Sequence, residues 1–374
     1  MTDPMKPLAA APRCDLDNTS APSSVSHRQF AIAGILTTVF GLEELPSEAA
    51  EVACLWLLHP RLATQERMTS IATAVIADWN SKFQDASSDS SRPVKGLIAV
   101  AFDQRNHGTR LVDPLANEAW KQGNPRHAQD MFSIFQGTAR DVSLLIDYIP
   151  SFVFPKSERK IYDNLVLGVS LGGHAAWSCI LHEPRISAGV VIIGCPDYVN
   201  LMADRARLSK LPSWTDSEAP GSNFLGSEEF PVSLLDAVRK YDPASLFLSQ
   251  MNSTLIPSAL RNESLLDTTE SEKASLRPLL ERCLAGKRIL NLSGGMDKLV
   301  PYHRGSAFLN WLKQAVSSSG WFADGLVIFE DIIDEHAGHE VTPKMVNEAV
   351  RFIRETLETN SACLKTGSVR EAKI

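Results

Sequence analysis

The stretch Gly168-Val169-Ser170-Leu171-Gly172-Gly173 matches the pattern G-x-S-x-G and directly follows the run Asn164-Leu165-Val166-Leu167. The run predicts a buried strand, and His174 to Leu181 predicts a helix. A strand that turns sharply into a helix holds the central serine on a strained, exposed turn, where its hydroxyl can attack a carbonyl carbon. Glycines suit such a turn because side chains at Gly168 and Gly172 would collide with nearby backbone.

Strand and helix signals alternate along the rest of the chain, which predicts a mostly parallel sheet with crossover helices. The other predicted strands are Gln29 to Thr38 (an early strand or hairpin), Val52 to Leu58, Gly96 to Phe102, Ile186 to Gly194, Arg288 to Leu292 and Leu326 to Phe329. The other predicted core helices have apolar residues at helical spacing and are Met68 to Asn80, Asp130 to Tyr148 and Met345 to Leu357. We therefore expect an α/β fold with helices on both faces of the sheet.

Composition and charge exclude several classes of protein. The chain has 374 residues, of which 44% are hydrophobic and 22% charged, enough to bury one large core with an inserted subdomain. A formal net charge of -7 and the lack of a basic run with interleaved aromatics argue against a nucleic-acid partner. The apolar stretches are too short to predict a membrane span, and no secretory signal is readable near Met1.

The six cysteines are scattered without C-x-x-C pairs. We expect them to be reduced and mostly buried, and we expect neither a metal site nor a cofactor.

These features resemble the α/β-hydrolase superfamily from about Gln29 to Leu357. Within it, the chain is similar to fungal hydrolases of polyketide and host-selective-toxin clusters, of the AK-toxin and ACT-toxin type. The resemblance implies an α/β-hydrolase core with a helical cap inserted after the sixth core strand. The strand signal disappears between Tyr198 and Gly286, so we expect a disordered segment over 1–27, a core over 28–197 and 287–358, a cap over 198–286 and a flexible tail over 359–374.

A serine nucleophile needs a histidine base and an acid that orients it, in the order Ser, Asp or Glu, His for this fold. Asp297 ends a predicted strand in a glycine turn, and we expect it to be the acid. Asp197, after the sixth strand, is the rival acid, although it is also suited to capping a helix. Relatives place the base after a glycine before the last helix, which matches His339 and leaves His336 as its rival.

Acyl transfer also needs two backbone N–H groups aimed at the developing oxyanion. We expect one from Leu171, which follows the serine. Relatives have His-Gly-x after the Val52 strand, whereas this chain has His59-Pro60-Arg61, and proline has no N–H to donate. The second donor therefore moves to Arg61, whose side chain either engages an acidic or phosphate-bearing substrate or is an ordinary surface arginine.

The segment Asp103-Gln104-Arg105-Asn106-His107-Gly108 resembles the D-x-R-x-H-G loop of this superfamily. The resemblance implies that Asp103 and Arg105 lock the loop through a charge-assisted pair, a structural rather than a catalytic role.

We call the predicted turn from strand to helix around Ser170 the elbow. A serine at this elbow implies an acyl-enzyme formed from an ester, thioester, lactone or amide. Hydrolysis of a small-molecule acyl ester or thioester is the leading interpretation. The alternatives are acyl transfer by the same triad and a catalytically silent ligand-binding protein.

The terminal residues Ala372-Lys373-Ile374 fit the wider form of the S-K-L peroxisomal signal, presented on a polar tail. We expect binding to the peroxisomal import receptor and a peroxisomal location, with a cytoplasmic location as the alternative.

Overall fold

The computed structural model describes residues 25–85, 94–249, 251 and 268–363. The predicted peroxisomal signal Ala372-Lys373-Ile374 lies outside these ranges and stays a prediction. The same holds for most of the predicted N-terminal segment 1–27 and for the end of the predicted tail.

The core is one sheet of eight strands in the order β1-β2-β4-β3-β5-β6-β7-β8. The strands are β1 (His27–Ile32), β2 (Ile35–Phe40), β3 (Glu51–Leu58), β4 (Lys95–Phe102), β5 (Lys160–Val169), β6 (Ile186–Ile192), β7 (Arg288–Gly294) and β8 (Ile328–Asp334). Strand β2 pairs antiparallel with β1 and β4, and every other neighbouring pair is parallel.

Ten α-helices are found in the described part of the chain. They are α1 (Thr69–Asp85), α2 (His127–Val153), α3 (Leu171–His182), α4 (Tyr198–Ser209), α5 (Pro212–Thr215), α6 (Val232–Tyr241), α7 (Pro243–Leu248), α8 (Glu270–Leu284), α9 (Ser306–Val316) and α10 (Pro343–Cys363). Helices α1 and α10 cover one face of the sheet, whereas α2, α3, α8 and α9 cover the other.

Strand β3 shows why the sheet is buried on both sides. Successive side chains of a strand point to opposite faces. Accordingly, Cys54 and Trp56 pack in the cluster under α2 and α3, while Leu55 and Leu57 pack under α1 and α10. All four are fully buried, which explains why this strand reads as a continuous apolar run rather than an alternating one.

The helical insertion lies between β6 and β7, where its described residues form α4 to α8 and no strand. Its aromatic residues other than the half-buried Tyr241 are buried and join the hydrophobic cluster of α2 and α3; they are Tyr198, Trp214, Phe224, Phe230 and Phe247. Phe224 lies edge-on to Trp120, with ring centroids 6.1 Å apart, and Phe247 stacks on Phe308 at the same separation. The expected α/β-hydrolase fold with a helical cap insertion is therefore confirmed, while the exact domain boundaries stay predictions.

Two further observations concern the described ranges only. None of their helices combines the length and the apolar character that crossing a bilayer requires. Of the cysteines within these ranges, Cys54, Cys179, Cys195 and Cys283 are free and buried.

Candidate active site

Ser170 occupies the turn between β5 and α3. Its backbone has φ 54° and ψ -112°, a conformation that a residue with a side chain rarely adopts, so the turn is strained. The Ser170 N–H donates to the Ile192 carbonyl at 2.9 Å, which ties the turn to the end of β6. The local backbone thus holds the serine in one orientation at the carboxyl edge of the sheet.

The glycines around Ser170 are required by close backbone approach. A Cβ at Gly168 would overlap the Gly172 carbonyl, and a Cβ at Gly172 would overlap the Leu58 carbonyl. A Cβ at Gly173 would lie 3.1 Å from the Ile192 carbonyl oxygen. Helix α3 can therefore begin directly against the ends of β3 and β6 only because these positions have no side chain.

Three residues from separate strand ends form a continuous hydrogen-bonded chain. Ser170 Oγ lies 2.9 Å from His339 Nε2, and His339 Nδ1 lies 2.7 Å from Asp297 Oδ2. Ser170 follows β5, Asp297 follows β7, and His339 lies between β8 and α10. Because the aspartate accepts from Nδ1–H, we infer that the neutral ring leaves Nε2 free to accept the serine proton.

The Asp297 carboxylate is held by its own loop as well as by the histidine. Its Oδ1 accepts from the N–H groups of Leu299 at 2.8 Å and Val300 at 2.9 Å. Burial opposes ionisation, but the hydrogen bonds and charge of His339 together with these two N–H groups outweigh it and lower the pKa of Asp297. The carboxylate is therefore ionised at neutral pH and fixed in position.

The rival residues lie elsewhere. His336 is exposed on the same loop as His339. Asp197 is buried at the start of α4, where its side chain accepts from Asn200 N at 3.0 Å. The structure brings together Ser170, His339 and Asp297, and it gives Asp197 the helix-capping position that its sequence context also suggested.

Leu171 is the first residue of α3, so its N–H has no partner within the helix and lies beside the serine. On the other side, the carbonyls of Leu58 and His59 face Gly172, which places the loop containing Arg61 against the elbow. The assignment of Leu171 and Arg61 as oxyanion donors stays a prediction.

His59 braces this loop. Its Nε2 accepts from Gln104 N at 2.9 Å, and its Nδ1 lies 2.8 Å from the Pro60 carbonyl oxygen. Burial lowers the pKa of His59 to about 4, so the ring is neutral at physiological pH. We infer that His59 fixes the backbone beside the elbow and does not transfer protons.

The expected pair between Asp103 and Arg105 is wrong. Arg105 reaches helix α2 instead, where its Nε and Nη2 donate to the two carboxylate oxygens of Asp141 at 3.0 and 2.9 Å. Asp103 accepts from the backbone N–H groups of Gln65 at 2.9 Å and Thr109 at 2.8 Å. Both residues fasten the loop, as expected, but each does so through a different partner.

No family model and no curated protein matches this chain. Among solved structures, it is similar to the Thermus thermophilus protein TT1662, with 16% identity, a TM-score of 0.49 and coverage of 89% of this chain and 98% of that one. It is also similar to acetyl xylan esterase 1 from a Thermoanaerobacterium species, with 15% identity, a TM-score of 0.43 and coverage of 90% and 85%.

A third similar structure is the acylaminoacyl peptidase of Pyrococcus horikoshii, with 13% identity and a TM-score of 0.46. The match covers 90% of this chain but only 41% of the peptidase. Because these identities and TM-scores are low, the class of the protein is assigned from its own structural features. The strand order, the inserted helices and the serine elbow define a protein of the α/β-hydrolase fold.

Proposed function

We propose that this protein is a serine hydrolase that cleaves an ester or thioester through an acyl-enzyme. The observation that carries the proposal is the chain from Ser170 Oγ through His339 to Asp297, with distances of 2.9 and 2.7 Å. A buried serine, histidine and carboxylate in this order are the groups that acyl transfer requires.

In the first half-reaction, Ser170 Oγ attacks the substrate carbonyl carbon while His339 Nε2 takes the hydroxyl proton. Asp297 holds the ring and stabilises the imidazolium that forms. The Leu171 N–H, at the positive end of α3, stabilises the oxyanion of the tetrahedral intermediate. The carbon to leaving-group bond then breaks, and the proton on Nε2 passes to the leaving alcohol or thiol.

In the second half-reaction, His339 removes a proton from water, whose oxygen attacks the acyl carbon. The bond to Ser170 Oγ breaks, Oγ regains the proton from Nε2, and the carboxylic acid leaves. No oxidant, reductant or cofactor is needed to balance either step. If an alcohol or amine replaces water, the same groups carry out acyl transfer.

The test is labelling with a fluorophosphonate followed by turnover of p-nitrophenyl esters. We expect the wild type to be labelled and to release p-nitrophenol, and Ser170→Ala to do neither. A rate of p-nitrophenol release that rises with added alcohol, together with a new ester product, would identify an acyltransferase. Absence of labelling in folded wild-type protein would instead favour a silent ligand-binding protein.

A role in fungal secondary metabolism is a finer proposal that rests on the sequence resemblance alone. Comparison of the metabolites made with and without the gene is its test. Accumulation of an uncleaved ester or thioester would support it, and an unchanged set of secondary metabolites would contradict it.

A further inference from the structure

Arg205, on the inserted helix α4, is a buried cation without a carboxylate partner. Only 7% of the residue is exposed. Its Nη1 lies 3.1 Å from His127 Nε2 and from Met131 Sδ, and its Nη2 donates to the Leu299 carbonyl at 3.2 Å. Its Nε has no hydrogen-bond partner, and no Asp or Glu of the described ranges lies within ion-pair distance of the guanidinium.

The groups that touch Arg205 carry no negative charge. His127 Nδ1 lies 2.9 Å from the Glu118 carbonyl oxygen, so we infer that Nδ1 carries the proton and that Nε2 accepts from Arg205. Burial, followed by the positive charges of Arg205 and Arg61, holds the pKa of His127 well below its usual range. The ring is therefore a neutral acceptor.

Another buried arginine, Arg304, does have a carboxylate partner. Arg304 is 6% exposed and donates through Nη2 to Asp204 Oδ1 at 3.1 Å. A buried charge is costly unless an opposite charge pairs with it. Arg205 has no carboxylate within ion-pair distance, and the acid that acts on it, Asp297, does so from farther away.

Arg205 is linked through a single residue, Leu299, to the acid of the Ser170, His339 and Asp297 series. It binds the carbonyl of Leu299, whose N–H donates to Asp297 Oδ1 at 2.8 Å. It also acts on His174, one helical turn after Ser170: burial first, and then the charge of Arg205, lowers the pKa of His174 to about 3. The charge of Arg205 thus interacts with Asp297 and with His174.

A second arginine acts electrostatically on Arg205. Arg61 follows β3, and its Nη1 lies 2.5 Å from the Asn117 carbonyl oxygen. In the part of the chain that the structure describes, it has no ion pair within 4.0 Å, although Glu118 acts on it from farther away. Burial first, and then the charge of Arg61, lowers the pKa of Arg205 to about 10, so the two cations repel each other.

We propose that Arg205 and Arg61 together bind an anionic group of the substrate, so that the preferred substrate is a negatively charged ester or thioester. The inference deepens the proposed hydrolase function and rests on it. Guanidinium groups present paired N–H donors that match the oxygens of a carboxylate or a phosphate. Bound between the two arginines, such a group would relieve their repulsion and position the scissile carbonyl at Ser170.

The first experiment uses two ester pairs of matched shape. One compares the p-nitrophenyl monoester of glutaric acid with the same compound carrying a methyl ester on its free carboxylate. The other compares acetyl-coenzyme A with acetyl-N-acetylcysteamine, which has the same thioester and no phosphate. We expect kcat/KM at least about tenfold higher for the anionic member of one pair. A preference in the glutaric acid pair indicates that the site binds a carboxylate, and a preference in the coenzyme A pair indicates that it binds a phosphate.

Substitutions then test whether the two arginines cause the preference for the anionic ester. Arg205→Gln and, separately, Arg61→Gln should abolish the preference by bringing the ratio of kcat/KM between the anionic and the neutral ester to about one, because the larger loss falls on the anionic ester. Arg205→Lys should retain part of it. The matched control is Arg207→Gln on the same helix, because Arg207 is half-exposed and pairs with Asp204 at 2.7 Å. The Arg207→Gln variant should keep the wild-type preference for the anionic ester.

Equal kcat/KM for both members of each pair in the wild type would overturn the proposal. So would equal losses for anionic and neutral esters in folded Arg205→Gln and Arg61→Gln, since that result indicates a structural role. Calorimetric binding of the same esters to Ser170→Ala separates this proposal from the hydrolase function. If Ser170→Ala binds the anionic ester more tightly than the neutral one, and this preference is lost when Arg205 is also replaced, the anion site is supported even if the wild type turns over no ester. Equal binding of the two esters by Ser170→Ala rejects the anion site.

Discussion

Ser170 Oγ and His339 Nε2 lie 2.9 Å apart although 169 positions separate the two residues in the chain. The contact forms because β5 and β8 lie in one sheet and both end at the same edge. The serine is held by a strained turn, and the histidine is held by Asp297. The geometry therefore depends on the whole sheet, and each of its three residues can be tested by itself.

The first prediction concerns the nucleophile and the base. Ser170→Ala and His339→Ala should each lower ester turnover by about four to six orders of magnitude, because the residues act as a unit. For the same reason the double variant should be scarcely slower than either single one. His336→Ala is the matched control on the same loop and should keep wild-type turnover. Full activity in folded His339→Ala would reject this assignment.

The second prediction compares two aspartates. Asp297→Asn should reduce kcat by about 10⁴, because an amide no longer stabilises the imidazolium and favours the wrong ring tautomer. Asp197→Asn keeps an oxygen that can accept from Asn200 N and should change kcat by less than about threefold. Steady-state kinetics on one ester measures both. A larger loss in Asp197→Asn would move the acid to the end of β6.

The third prediction concerns the elbow glycines. Gly172→Ala should destabilise the protein by about 2–3 kcal/mol, since the added methyl group would overlap the Leu58 backbone, which cannot move without distorting β3. In Gly338→Ala the new methyl group meets only Glu340 Oε1, at 3.9 Å. That control should stay within about 0.5 kcal/mol of wild type in urea unfolding. Equal stabilities of the two variants would contradict the prediction.

The fourth prediction is a pH dependence of stability. Burial, and next the negative charge of Asp197, raises the pKa of Asp242 to about 8. In the unfolded chain an aspartate has a pKa of about 3.9, so between about pH 4 and pH 8 the native state holds a proton that the unfolded state has lost. The free energy of unfolding should therefore fall as pH rises through this window, by at most about 1.4 kcal/mol per unit.

Urea unfolding at several pH values measures this slope. Asp242→Asn should flatten it, because an amide mimics the protonated acid at every pH. The absolute stability of the variant will also change, since the Asp242 carboxylate accepts from both Tyr198 N and Ser245 N. Asp236→Asn, on the exposed side of α6, is the control and should keep the wild-type slope. An unchanged slope in Asp242→Asn would refute the prediction.

Much of the fold could be predicted because buried parallel strands carry unbroken apolar runs. Element ends were less predictable. Strand β8 begins at Ile328 and not at Leu326, because Leu326 lies in a turn with φ 52°. Helix α2 continues past Pro150 to Val153, and α10 continues past the predicted core boundary to Cys363. Local composition predicts such ends poorly, because contacts with neighbouring elements determine where a helix or strand stops.

The three residues of the hydrogen-bonded chain could be predicted because they follow strands in a fixed order. The partner of Arg105 could not, because Asp141 lies 36 positions away on α2. Arg205 was also missed, since it stands among charged residues that are typical of an exposed helix. One signal was available: Leu201 and Met202 precede it by four and three positions, which places Arg205 on the apolar face of α4.

Ser170, Asp297 and His339 all follow the carboxyl ends of β5, β7 and β8, so the connections that enter the strands lie at the opposite edge of the sheet. Protein engineering can treat the two edges independently. A fluorescent label or an affinity tag placed in a connection at the entering edge should leave the substrate range unchanged. Libraries meant to alter that range should be confined to the loops that leave the strands and to the inserted helices above them.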